Sequence, residues 1–309
     1  MIEKIKTIED ETIKQFIATE IDYEVFEKIE EGHVGLPIFR CVDLNGNKRV
    51  IKIGVGVEGK REIDNNLYGY FNISAVGGSS FVPENINTLD TPWGLAIDLP
   101  DLGLDFTKSS NTEAKTKHNF DTLGKMFLDA VIKTKIEDKQ IHIKGIVEVL
   151  SQLKSWSGLL VKNKMAKRDV VELIDSIDPI SLSGNYASVM ILDFTPDNIF
   201  INKGNAKFID PWKQKEYLGT PLPSLSQFIT LSENIYNIPG FNNTNLNYNS
   251  LIQKIGNEMA LDTKTVNAQL NIGRALQYSL SSYVRITSNP KISELYANIS
   301  RKNIEEIIN

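Results

Sequence analysis

The stretch Val189 to Trp212, VMILDFTPDNIFINKGNAKFIDPW, holds the residues best suited to chemistry. A short apolar strand delivers Asp193 into a loop, and Asn198 follows. A strand, an Asn-Lys-Gly-Asn turn and a second strand then return the chain to Asp210. An acid, an amide and an acid are therefore expected at one end of a small hairpin. Phosphoryl transfer uses such a set. A carboxylate within hydrogen-bond reach of a hydroxyl orients it and takes its proton. Mg²⁺ prefers hard oxygens, which Asn198 and Asp210 supply beside nucleotide phosphates, and ligands on a rigid hairpin hold the cation where charge builds. The D-x-x-x-x-N spacing alone is equally explained by an Asp-Pro turn capped by Asn. The weight rests on its conjunction with the hairpin and Asp210.

The N-terminal part offers complementary groups. Arg49-Val50-Ile51-Lys52-Ile53 places Lys52 in an apolar strand, either on a solvent face or reaching the α- and β-phosphates of ATP. The helix expected from Gly59 to Phe71 offers Glu62 as an ion-pair partner for Lys52, with Glu58 as the alternative. Gly32-His33-Val34-Gly35 precedes the strand pair and could close over phosphates, because glycine lets backbone N–H groups approach closely.

The elements that must position these groups follow from periodicity. Thr7 to Ile21 reads as an amphipathic helix. Leu36 to Leu44 and Arg49 to Val57 read as strands joined at Asn45-Gly46, a strong hairpin signal because both residues accept positive φ. Trp93 to Asp98 resembles a strand, and Leu99 to Gly103 a break. Helices are expected over Asn119 to Lys135, Ile143 to Trp156, Lys167 to Ile177 and much of the tail from Leu222, ending with Lys291 to Ile308. Between them lie β segments at Val189 to Leu192, Ile199 to Ile201 and Ala206 to Ile209. Asn234 to Asn249 reads as an Asn-rich loop. The fold class is thus α+β, with a small β-rich part over 1–98 and a larger helical part over 99–309.

Composition narrows the function classes. The 309 residues are 41% hydrophobic and 24% charged, ordinary globular values for two lobes. A net charge of −5 argues against nucleic-acid partners. The single cysteine, Cys41, excludes an intrachain disulfide and reads as a small buried hydrophobe. No apolar run approaches the roughly 18 residues a membrane helix needs, and the charged N-terminus lacks an apolar signal core. The cytoplasm is the expected compartment. Trp93, Trp156 and Trp212 read as core or pocket walls. Arg274 and Arg285 read as helix-surface residues, and Lys162, Lys164, Lys167 and Arg168 as a solvated loop.

Taken together, the order of glycine loop, strand Lys, helix Glu, D-x-x-x-x-N, hairpin and Asp resembles that of protein kinases and their relatives. DFTPDNIFI with FIDPW looks like the aminoglycoside phosphotransferase and choline kinase branch, and no Ala-Pro-Glu triplet follows Asp210. The resemblance covers most of residues 25 to 235 and implies a two-lobed protein kinase-like fold. It implies Asp193 as catalytic base, Asn198 and Asp210 as Mg²⁺ ligands, and Lys52, paired with Glu62, on the phosphates of ATP. Gly32 and Gly35 would cover them, and the backbone of Ile97, Asp98 and Leu99 would meet adenine. Helices between Ile136 and Asn185 would shape the pocket of a small-molecule hydroxyl acceptor, such as an aminoglycoside-like or amino-alcohol compound. Three departures stand out: Ile191-Leu192-Asp193 replaces His-Gly-Asp, Pro211-Trp212 follows Asp210, and Lys52 and Glu62 are close in sequence. They keep two other readings open, a pseudokinase that binds nucleotide or a protein partner, and a kinase acting on a protein substrate.

Overall fold

In the computed structural model, which describes residues 10–29, 36–202, 204–211, 213–241, 246 and 248–308, an N-terminal helix leads into an antiparallel sheet. Helix α1 (Asp10–Glu20) is followed by β1 (Glu24–Ile29), β2 (Ile38–Val42) and β3 (Lys48–Ile53). Helix α2 (Gly56–Ile73), β4 (Asn87–Thr91) and β5 (Gly94–Pro100) complete this part, and the sheet order is β1-β2-β3-β5-β4. The Asn45-Gly46 hairpin forms as expected: Gly46 has φ 78°, and the Asp43 carboxylate accepts from the Asn45 and Asn47 amides.

Alternation along the strands gives the sheet two buried faces. Phe39, Cys41, Ile51, Ile53 and Ala96 pack with Ile13 and Ile17 of α1. Burial pushes the Cys41 thiol up to about 12, so it packs as a hydrophobe and does not react. The other face carries Lys52 together with Ile97 and Leu99, and these two side chains join the core shared with the helical part.

The C-terminal part comprises α3 (Phe106–Ser109), α4 (Glu113–Thr134), β6 (Ile136–Glu137), α5 (Lys139–Lys162), α6 (Asp169–Asp175) and β7 (Tyr186–Val189). These are followed by the hairpin β8 (Ile199–Asn202) and β9 (Asn205–Phe208), then β10 (Leu218–Gly219), α7 (Leu222–Thr230), α8 (Tyr248–Glu258), α9 (Thr263–Val284) and α10 (Pro290–Ile308). Every residue of α7 is buried, and α9 packs against it as well as against α5 and α10. A small-domain sheet and a larger helical body together make a two-lobed α+β fold.

Two expectations need correction here. Gly56, at φ 70°, ends the third strand and starts α2, so the strand stops at Ile53 and does not reach Val57. The break expected at Leu99 is a continuation of β5 to Pro100. Odd-numbered residues of β5 bond towards β3, as Gly54 N→Leu95 O and Asp101 N→Lys48 O show. Pro100 therefore turns its missing donor to the other side, past the end of β4, where no ladder bond is lost.

Helix α5 lies on β10 through two glycines: a Cβ on Gly145 would stand 2.4 Å from the Gly219 Cα. Ala in place of a mid-helix Gly normally gains about 1 kcal/mol. Here Gly145→Ala should instead lose about 1–3 kcal/mol through overpacking against backbone, read as a lowered midpoint in chemical denaturation.

Candidate active site

Lys52 rises from β3 into the interface with α2 and the helical lobe, and is only 7% exposed. Its Nζ lies 2.9 Å from Asp210 Oδ1, 3.0 Å from Asn66 Oδ1 and 3.7 Å from Glu62 Oε1. Glu62 is thus the glutamate of α2 within ion-pair distance, whereas Glu58 is exposed at the helix start. Glu62, Asn66 and Tyr70 recur at i, i+4 and i+8, and so share one helix face. The Asp210 amide donates to the Tyr70 hydroxyl at 3.1 Å, and burial raises that phenol well above its ordinary pKa. Gly69 permits contact with the next residue of the loop: a Cβ there would lie 2.6 Å from Pro211. Helix α2 is therefore fixed to both Lys52 and Asp210.

Asp193 follows β7 on a backbone held from several sides. The Gln214 side chain accepts from the Leu192 amide at 2.8 Å and donates to the Met190 and Glu216 carbonyls at 2.8 and 2.6 Å. Ser224 of α7 accepts from the Ile191 amide at 3.1 Å. This clamp stands where a histidine buttress was expected to be missing. Beyond Asp193, Phe194 sinks into a cluster of aromatic rings, with Phe127 at 5.1 Å and Phe208 and Phe228 each at 5.9 Å. Asp193 and Asp210 both take left-handed backbone, φ 64° and 51°, which costs about 1 kcal/mol or more for a non-glycine residue and persists where surroundings impose it.

Asn198 sits beside both acids. Its Nδ2 donates to Asp193 Oδ2 at 3.3 Å, and its carbonyl accepts from Ile209, next to Asp210, at 2.8 Å. The donor edge meets the carboxylate, so Oδ1 is the edge left for a cation. The Asp210 side chain is 32% exposed, so a bound cation can reach it from solvent. One carboxylate and one amide oxygen fit Mg²⁺, which usually takes few protein ligands and completes its shell with water and phosphate oxygens. Among the described residues no cluster of three or more His, Cys, Asp or Glu could hold a metal without such help. Burial, reinforced by the charges of Asp197 and Asp210, pushes the Asp193 carboxyl up to about 8.

The residues expected to line adenine are placed differently. Ile97, Asp98 and Leu99 all lie within β5, with Ile97 and Asp98 paired to strands on both sides, so their backbone groups belong to the ladders. The Asp98 side chain points to the α1 face, fully buried, where it pairs with Arg49 at 2.7 Å and accepts from Tyr23 and Asn87, each at 3.1 Å. Pro100 is still paired with Arg49 of β3 but lies past the end of β4, and Leu102 lies beyond both ladders. Gly32 and Gly35 lie outside the described residues, as does Trp212. Trp93 packs edge-on against Phe16, while Trp156 faces Tyr283 on the helical lobe. Arg274 bonds Asn271 and Arg285 stacks on Tyr296, away from Lys52 and Asp210.

Sequence reasoning missed Asn66, Tyr70, Gln214 and Ser224. The helical repeat from Glu62 pointed to the first two. Nothing local marks Gln214 or Ser224, whose partners at Met190, Ile191 and Leu192 lie tens of residues earlier.

No protein-family model matches the sequence, and no curated protein matches it. Solved structures do. A Ralstonia eutropha protein provisionally assigned as an aminoglycoside phosphotransferase aligns over 96% of this chain and 98% of its own, with 10% identity and TM-score 0.58. Choline kinase from Cryptosporidium parvum aligns over 96% and 95%, with 13% identity and TM-score 0.52. An amicoumacin kinase solved with AMP-PNP and Ca²⁺ aligns over 96% and 94%, with 10% identity and TM-score 0.52. The fold is the one that these kinases and phosphotransferases share.

Two outcomes follow from the geometry. In metal-free buffer, the folded chain holds a proton on Asp193 that the unfolded chain releases above about pH 4, so stability falls from pH 4 to 8. Asp193→Asn should therefore be more stable than wild type by a margin that grows to about 1–3 kcal/mol by pH 8, measured by thermal unfolding across that range. Gln214→Leu leaves the Leu192 amide and two carbonyls without partners. It should cost about 2–4 kcal/mol, whereas the exposed Lys164→Leu should leave the denaturation midpoint nearly unchanged.

Proposed function

We propose that the protein transfers the terminal phosphoryl group of ATP to a hydroxyl of a small molecule, in a cleft between lobes that divide near residues 98–105. The observation that carries the reading is the convergence of Lys52, Asp210, Asn198 and Asp193, which the chain supplies from two distant segments. Asp193 orients the acceptor hydroxyl and takes its proton as the oxygen bonds to phosphorus and the bond to the ADP oxygen breaks. Its raised pKa makes it a stronger proton acceptor than an ordinary carboxylate once it is ionised. Asn198 and Asp210 hold Mg²⁺, which when bound neutralises phosphate charge. Lys52 reaches the phosphates, with Asn66 and Glu62 steadying its ammonium group. Adenine meets the backbone at Pro100 and Leu102, in place of Ile97 to Leu99.

The structural neighbours support this class. They include a provisionally assigned aminoglycoside phosphotransferase, a choline kinase and an amicoumacin kinase holding a nucleotide analogue and a divalent cation. Gln214 supports the loop that lacks the histidine, which weighs against the pseudokinase reading. Among the described residues no helix is long and apolar enough to cross a membrane.

The test is ³¹P NMR with ATP, Mg²⁺ and a panel of small hydroxyl compounds. A new phosphoester signal should appear with wild type and fall at least ~1,000-fold in rate with Asp193→Ala, while ATP binding persists. Asp210→Ala should abolish the Mg²⁺-dependent part of nucleotide binding. Undiminished transfer by Asp193→Ala removes that residue from the chemistry. ATP bound but intact against every hydroxyl compound favours the pseudokinase.

A further inference from the structure

A small cavity, about 30 Å³, opens on the helical-lobe side of Asp193. Its walls are Gln152 and Trp156 from α5, Leu276 and Leu280 from α9, Leu192, and Gln227 from the buried helix α7. Space of this size admits two or three water-sized groups, since one water needs only about 10–15 Å³ on such a measure. Lys52 and Asp210 approach the catalytic hairpin from the sheet side. The cavity borders Asp193 itself, where an acceptor hydroxyl must sit to give up its proton.

Two features of the lining set the chemistry of what enters. Among its described lining residues Asp193 alone is ionisable, and Trp156 and three leucines are apolar. Burying a formal charge there without a partner would cost several kcal/mol. Against this apolar wall stands one anomaly: Gln227 is 2% exposed and its Oε1 has no hydrogen-bond partner. A buried amide oxygen without a donor costs about 1–3 kcal/mol. A half-turn of the terminal amide exchanges its two edges, so either can face the cavity.

We propose that this cavity receives the reactive end of the acceptor, and that Gln227 selects a neutral alcohol carrying a second hydroxyl. This deepens, and rests on, the phosphotransfer reading. One hydroxyl lies at Asp193 and the other donates to Gln227, while the carbon skeleton packs on Trp156 and Leu276. The second hydroxyl supplies the donor that Gln227 lacks. A molecule without it leaves that oxygen unpaired, and a protonated amine meets no lining carboxylate except the base itself. The preference thus departs from the amino-alcohol acceptor expected from the sequence.

The test reads binding without nucleotide, so its failure is distinct from failure of the transfer reaction. The indole N–H signal of Trp156, assigned with Trp156→Phe, is followed while 1,2-propanediol, 1-propanol or 1-amino-2-propanol is titrated at neutral pH. The diol should shift the signal saturably, with a midpoint of about 10–100 mM. 1-Propanol should bind at least ~10-fold more weakly, and the protonated amine more weakly than the diol. Gln227→Met keeps the side-chain length and removes the amide. It should fold at least as stably as wild type and bring diol and mono-ol to equal affinity. The proposal is overturned if no saturable shift appears up to about 0.5 M, if wild type binds diol and mono-ol alike, if Gln227→Met keeps the diol preference, or if the amine binds tightest. Should Gln227→Met unfold, Gln227→Glu takes its place: its carboxylate should reverse the order in favour of the amine, and an unchanged order overturns the proposal.

Discussion

The contact on which the rest depends is Lys52 to Asp210, 2.9 Å long and joining residues 158 positions apart. An ammonium group this deeply placed needs compensation, because desolvation of an unpaired charge would cost several kcal/mol. Asn66, Glu62 and Asp210 provide it from two different elements. Satisfying one lysine therefore fixes the register of β3, the rotation of α2 and the height of the loop at Asp210. Tyr70 and the Gly69–Pro211 contact complete the same fixation without charge.

The second acid is held differently. Asp193 touches no cation in the protein, and its position comes from main-chain bonding to Gln214 and Ser224 and from the burial of Phe194. The site is thus half electrostatic and half mechanical. A left-handed residue at each acid aims the carboxylates where regular strands could not. Among the described residues the acid without a counter-cation is the one whose carboxyl burial pushes up.

Much of this was legible in the chain because its signals are local. Asp193, Asn198 and Asp210 interrupt short apolar strands, and Asn45-Gly46 marks its hairpin through backbone preference alone. Lys52 in mid-strand was ambiguous until the opposite face of the sheet proved to be filled by α1. The strand at Asn87–Thr91 has no clean alternation and went unread. The break expected at Leu99 to Gly103 failed because Leu99-Pro100 looks like a strand end in sequence, while β5 runs on to Pro100. Whether proline ends a strand depends on which side lacks a neighbour, and sheet order decides that. Gln214 and Ser224 were illegible for a similar reason: an amide and a hydroxyl are common residue types, and only tertiary contact distinguishes them.

Gln214 has one more consequence. A carboxamide has no proton to gain or lose in the physiological range, so the support beneath the catalytic loop is blind to acidity. The histidine that comes nearest to a structural role, His142, is buried, bonded by the Gly184 amide, and pushed down to about 4. It stays uncharged wherever the protein functions near neutrality. A loop propped by imidazole would soften as that ring charged. This one keeps its shape through mild acid, and its response to acidity is left to the carboxyl group it carries.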